Sequence, residues 1–184
     1  DYVINPLPEF EVNANPLTDV TCYNGNDGTM NFTVSGYNGS FNYEVIDETG
    51  NLYANGTNNT SNNPIQVTGL IAGSYTIMVS ISTTNSYVSC TEVSNVIIIG
   101  TPQPILFIRE QTSPVTCGPN QGTITVTSTS GGTGSYQYQL VSLPSGTIVA
   151  PYSFSALSEF TGLSSGDYRV IVRDANMCQT TQDI

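Results

Sequence analysis

Four cysteines and two oxygen-rich turns are the parts of this 184-residue chain with chemistry to offer. Cys22 and Cys90 recur 88 to 95 positions later as Cys117 and Cys178, so the thiols form two equivalent pairs. Zinc favours closely spaced cysteines supplemented by histidine, and the chain has neither. Disulfides are the better reading, expected as Cys22–Cys90 and Cys117–Cys178. Each would close a loop of about 60–70 residues and stabilise its module by roughly 4 kcal/mol. Such bonds place the chain in an oxidising compartment. The oxygen-rich turns are Asn24-Gly25-Asn26-Asp27-Gly28 and Asp174-Ala175-Asn176, and a hard cation such as calcium takes several convergent oxygens. Asn24, Asp27 and Asp174 are therefore the candidate calcium ligands. Neither turn follows the D-x-D-x-D-G pattern, and Asn and Asp equally serve turns by bonding their own backbone. No other cofactor is expected.

Catalysis finds little support. Histidine and lysine are absent, which removes the usual bases and nucleophiles. Asp47-Glu48 and the isolated acids fall on turns and strand edges, where acids serve solvation. The chain is expected not to be an enzyme. Its net charge is −11 although only 9% of residues are charged, because Arg109, Arg169 and Arg173 are its only cations. Without a basic groove, nucleic acid and anionic membrane are not expected partners. No apolar run is long enough to span a bilayer.

The elements that must position these groups read as strands. Apolar residues alternate with polar ones in short runs bounded by Gly, Asn and Pro, and no helix-length 3.6-residue pattern occurs. Met30, Phe32 and Val34 define one strand face, followed by Phe41 to Val45, Ile65 and Val67, Tyr75 to Val79, and Val93 to Ile99. Val96-Ile97-Ile98-Ile99 reads as a buried strand. The same order returns with Ile124 and Val126, then Tyr136 to Leu140, then Tyr168 to Val172. Cys22 to Cys117 and Tyr43 to Tyr138 are both offsets of 95, and Gly73 to Gly166 is 93. About seven short strands per copy predict an all-β fold: two tandem immunoglobulin-like β-sandwich domains, each with one disulfide.

Boundaries are expected at residues 6–100 for the first repeat and 101–184 for the second, whose last strand is truncated. Residues 1–5 read as the last strand of a preceding repeat, or as a donor strand, because Tyr2-Val3-Ile4-Asn5 resembles Ile97 to Gly100. Tyr2, Val3, Ile4, Asn5 and Ile184 are accordingly the expected contact residues with neighbouring copies. The chain reads as an excised or mature piece of a longer tandem array. Tyr43, Tyr75, Tyr138 and Tyr168 occupy repeated strand positions and are expected in the core. Tyr23, Tyr37, Tyr53, Tyr87 and Tyr152 are less regular and are the candidates for stacking on sugars.

Motifs recur in one order in the two copies, and a further one closes the second. Val-x-Cys precedes a Gly turn at Val20 to Gly28 and Val115 to Gly122. A Gly-rich turn precedes an aromatic strand, as at Gly131 to Tyr138. Leu-x-x-Gly-x-Tyr spans Leu70 to Tyr75 and Leu163 to Tyr168. Asp-Ala-Asn-x-Cys closes the second copy at Asp174 to Cys178, where the first has Ser-Tyr-Val-Ser-Cys. Together they resemble the SprB-type repeat of cell-surface adhesins of gliding Bacteroidetes. The resemblance implies secretion to the extracellular cell surface, by the type IX route, and a structural or adhesive role in a long adhesin or filament. Neighbouring copies, surface glycans and abiotic surfaces are the partners it implies. A self-polymerising filament subunit and a carbohydrate-binding module are the alternative readings.

Overall fold

The computed structural model describes residues 9–58, 63–82, 89–113, 120–153 and 158–184. Among them are strands and turns and no helix. The chain folds as two compact units, unit 1 (Asp1–Val20 with Asn24–Thr101) and unit 2 (Thr21–Tyr23 with Pro102–Ile184).

Unit 1 stacks two sheets. One has the order β1 (Glu11–Thr18), β2 (Gly28–Ser35), β5 (Ile65–Leu70). The other runs β4 (Leu52–Asn58), β3 (Phe41–Asp47), β6 (Gly73–Ser82), β7 (Ser89–Val93), with β8 (Ile97–Ile99) also pairing β6. Neighbours are antiparallel, and the faces turned inward carry the alternating apolar residues. Met30, Phe32, Val45, Leu70, Ile77 and Val79 are fully buried.

Unit 2 repeats the plan. Its sheets are β13 (Ser158–Leu163), β10 (Gly122–Ser130), β9 (Leu106–Ser113) and β12 (Ile148–Ser153), β11 (Gln137–Leu143), β14 (Asp167–Arg173), β15 (Gln179–Asp183). Its core gathers Ile124, Val126, Leu140, Val170 and Val172. The fourth strand of each unit lies beside the third, completing a sandwich of three strands against four or five.

Two local features depart from the expected strands. The run from Val93 to Ile99 is broken between β7 and β8. Buried Ser94 turns inward there: its N–H donates to the Ile77 carbonyl at 2.9 Å and its hydroxyl accepts from the Ile77 N–H at 2.9 Å. Val96-Ile97-Ile98-Ile99 is only half buried. Ile97 and Ile99 are 2% and 1% exposed whereas Val96 and Ile98 are 63% and 68%, because β8 pairs with β6 and leaves its alternate side chains outside.

Each unit also turns at a glycine in the left-handed region, Gly36 and Gly131, both with φ +81°. A Cβ at Gly36 would lie 2.5 Å from the Glu9 carbonyl oxygen, so no other residue fits without moving that strand.

Candidate functional site

The disulfide defines the most elaborated turn. Cys22 bonds Cys178, with Cα atoms 5.5 Å apart, and Thr21–Tyr23 is packed as part of unit 2. The expected pairs Cys22–Cys90 and Cys117–Cys178 are therefore corrected, since both partners in the bond were assigned elsewhere. Geometry explains the correction. Val20, two residues before Cys22, lies against Gly28 and donates its N–H to the Gly100 carbonyl at 3.1 Å. Cys90 sits beside Phe10 and Gly36 at the far end of β2. Eight residues of strand separate those ends by roughly 25 Å, well beyond the ~7 Å within which two cysteines can bond. Cys90 is a half-buried free thiol, and Cys117 lies outside the described residues.

Asp174 builds the closing turn. It is 2% exposed, and its two carboxylate oxygens accept from three backbone N–H groups. Oδ2 takes Thr133 at 3.0 Å; Oδ1 takes Asn176 at 2.9 Å and Cys178 at 3.0 Å. The loop Gly131 to Gly134 and the turn carrying Cys178 thus share one carboxylate. Asp47 acts similarly at the β3–β4 hairpin, where Oδ1 accepts from the Thr49 N–H and hydroxyl and from the Asn51 N–H. The Thr49 hydroxyl, then the Asn51 N–H, hold its carboxyl below the usual 3.8.

The remaining candidates separate. Asn24 is exposed at φ 60° in its turn, and exposed Asp27 stands at the foot of β2. Among the described residues no three of His, Cys, Asp and Glu converge on a metal-sized space. Tyr2, Val3, Ile4 and Asn5 lie outside the described residues, as does Tyr87. Ile184 continues β15, exchanging two 2.8 Å backbone hydrogen bonds with Tyr168. Beside it a cleft is lined by Gly122, Leu163, Gly166, Tyr168 and Ile184. In unit 1 the matching glycine, Gly28, is covered by Ile99 of β8.

Tyrosines 75, 138 and 168 are buried and Tyr43 is partly so, packed 5.0 Å from the Phe32 ring. The Tyr75 hydroxyl donates to the Ile71 carbonyl at 3.0 Å, and Tyr168 to Ser164 at 2.9 Å. Each Leu-x-x-Gly-x-Tyr motif is therefore a tyrosine corner, a strand-entry device of immunoglobulin-like sandwiches. Desolvation chiefly, with the neighbouring Tyr53, pushes the Tyr75 phenol up to about 12. Tyr53 spends its hydroxyl on the Gly69 carbonyl at 2.6 Å, and Tyr152 lies 3.7 Å beneath the Arg173 guanidinium. Tyr37 is partly buried, which leaves Tyr23, at 50%, the most exposed ring of the candidates described.

Two strand-bracing side chains escaped sequence reading. Asn95 grips Ala14 of β1 with both ends of its amide, at 2.9 Å each, and Asn63 does the same to Val34 of β2 at 3.2 and 2.9 Å. Their only sequence signal is an Asn beside a strand end, which loops supply everywhere. Arg169 clasps Asp183 through two hydrogen bonds of 2.6 and 2.9 Å, and this guanidinium holds the Asp183 carboxyl below its usual range.

A family model described as the SprB repeat matches residues 14–50 and 109–145. Two segments of the chain match the SprB repeat, consistent with two tandem copies. Each matched segment begins within the first sandwich strand of its unit and ends just past the aromatic strand, so the SprB match covers the Gly turn and stops short of the closing cysteine. No curated protein matches the chain. Among solved structures similar to this chain is a two-domain fibronectin type III segment of chicken tenascin, 15% identical, covering 92% of this chain and 98% of that one at a TM-score of 0.31. A C-terminal fragment of intimin, in complex with the intimin-binding domain of its translocated receptor, is 16% identical and covers 95% and 62% at 0.38. A tetra-tandem repeat from the extending region of a large adhesion protein is 13% identical and covers 95% and 48% at 0.29.

Proposed function

We propose that this chain is a non-catalytic structural stretch of a long, secreted cell-surface adhesin, in which SprB repeats supply reach and an extracellular surface. One observation carries the reading: a single sandwich, with the same glycine turn and the same tyrosine corner, is built twice in succession. Ser, Thr, Asn and Gln hydrate its surface where cations are nearly absent. The disulfide accords with an oxidising exterior. Export by the type IX route, and a part in gliding of a Bacteroidetes cell, follow from the family resemblance. Antibodies against the two repeats should label fibres on intact cells, with and without a calcium chelator. Labelling only after permeabilisation overturns the reading. Saturable glycan binding abolished by Tyr23→Ala would replace it with a carbohydrate-binding module.

A self-assembling variant of the reading is favoured by the cleft at Gly122, Tyr168 and Ile184, which stands where unit 1 seats Ile99 on Gly28. Tyr2-Val3-Ile4 of a second copy has the residue types to fill it by strand addition. Deleting residues 1–5 should then abolish concentration-dependent polymers. Polymers unaffected by the deletion exclude strand addition.

A further inference from the structure

The cleft that holds Thr21–Tyr23 in unit 2 exists a second time in unit 1. In unit 2 it is lined by Pro104, Ile105, Gly132, Cys178, Gln179 and Thr180, and Cys22 enters it to bond Cys178. In unit 1, Glu9, Phe10, Gly36, Cys90, Thr91 and Glu92 line a cleft of about 620 Å³, against about 350 Å³ in unit 2 where Cys22 and Tyr23 themselves form part of the wall. Five of these lining residues match by position, and Gly36 matches Gly131, the neighbour of the lining Gly132. Glu9 and Phe10 precede Pro104 and Ile105 by 95 positions, as Gly36 precedes Gly131; Cys90, Thr91 and Glu92 precede Cys178, Gln179 and Thr180 by 88. Gly36 and Gly131 share φ +81°. The difference is that Cys90 keeps its thiol.

We propose that the Cys90 cleft receives the opening cysteine turn of another SprB repeat and bonds its cysteine, as the Cys178 cleft receives Cys22. In a second copy of this chain the occupant is Val115-Thr116-Cys117, which repeats the Val-Thr-Cys of residues 20–22. Each opening cysteine would thus serve the closing cysteine of the repeat that follows, and intramodule bridges would be absent from the whole array. This rests on the tandem-repeat reading above. The chemistry is thiol–disulfide exchange. The two thiols lose two protons and two electrons as the S–S bond forms, and a low-molecular-weight disulfide such as oxidised glutathione takes them up to become two thiols.

The test mixes ¹⁴N- and ¹⁵N-labelled full chain in a glutathione redox buffer, then analyses chymotryptic peptides by mass spectrometry. The expected product is a mixed-isotope Cys90–Cys117 peptide in excess over Cys90–Cys90 and Cys117–Cys117, with a ladder of multimers on non-reducing gels. Cys90→Ser should remove the ladder and leave the Cys22–Cys178 peptide in place. Three results overturn the proposal: a Cys90 that stays open to alkylation, statistical pairing of all free thiols, or a Cys90–Cys117 bond confined to one isotope. None of these affects surface labelling of cells, so the adhesin reading stands or falls separately.

Discussion

Asp174 shows how much one side chain carries in a loop-rich sandwich. Its buried carboxylate accepts from three N–H groups, and one of them belongs to Cys178. Leaving such donors unpaired costs about 1–3 kcal/mol apiece, discounted for partial access to water. Asp174→Ala should therefore lower the unfolding free energy of unit 2 by about 3 kcal/mol, measured by denaturant titration. Asp174→Asn keeps one acceptor oxygen and should lose less than half of that. A loss under about 0.5 kcal/mol for the alanine variant would show that water replaces the carboxylate. The Asp-Ala-Asn-x-Cys motif was visible in the sequence. Its oxygens read first as turn acceptors and second as cation ligands, since acceptor chemistry is shared and only the donor positions separate the two.

At the scale of elements, the tyrosine corner fixes how the chain enters β6 and β14. The hydroxyl of Tyr75 ties the start of β6 to Ile71, and its ring is 2% exposed. Tyr75→Phe and Tyr168→Phe each remove one hydrogen bond while keeping the ring, so each should cost roughly 1 kcal/mol. The sign of the pH effect follows from the raised phenol. A folded value of about 12 against an ordinary 10.0 means the contribution is complete below pH 10 and is lost as pH rises from 10 towards 12. Stability measured across that window should fall less steeply in Tyr75→Phe than in the parent. Parallel slopes would mean another group governs alkaline unfolding. The alternation that placed Met30, Phe32 and Val34 inside was legible because a strand has period 2. The break at Ser94 was not, because a serine that bonds inward and one that faces water look alike in sequence.

For the whole molecule, the bond between Cys22 and Cys178 joins positions 156 residues apart. The chain-entropy model puts a ceiling of about 5 kcal/mol on what such a loop contributes. Cys22→Ser, or reduction of the parent, should lower the unfolding transition of unit 2 and release Thr21–Tyr23 to proteolysis. Calorimetry with and without reductant checks this. Transitions that do not move would show that packing alone holds the segment. The net charge of −11 acts at the same scale, favouring solubility and disfavouring acidic partners without specifying the fold.

Repetition, strand periodicity and composition are local properties, so the sequence alone determined an all-β chain, two copies of one sandwich, the identity of the core faces and the resemblance to the SprB repeat. Cysteine pairing is not local. Equivalent spacing in the two copies suggested a bridge within each, but spacing along the chain carries no information about which end of a strand a residue occupies. Only the tertiary structure sets Val20, and with it the approach to Cys22, at the Gly28 end of β2 and Cys90 at the Gly36 end. That distance, about the length of one strand, decided the disulfide.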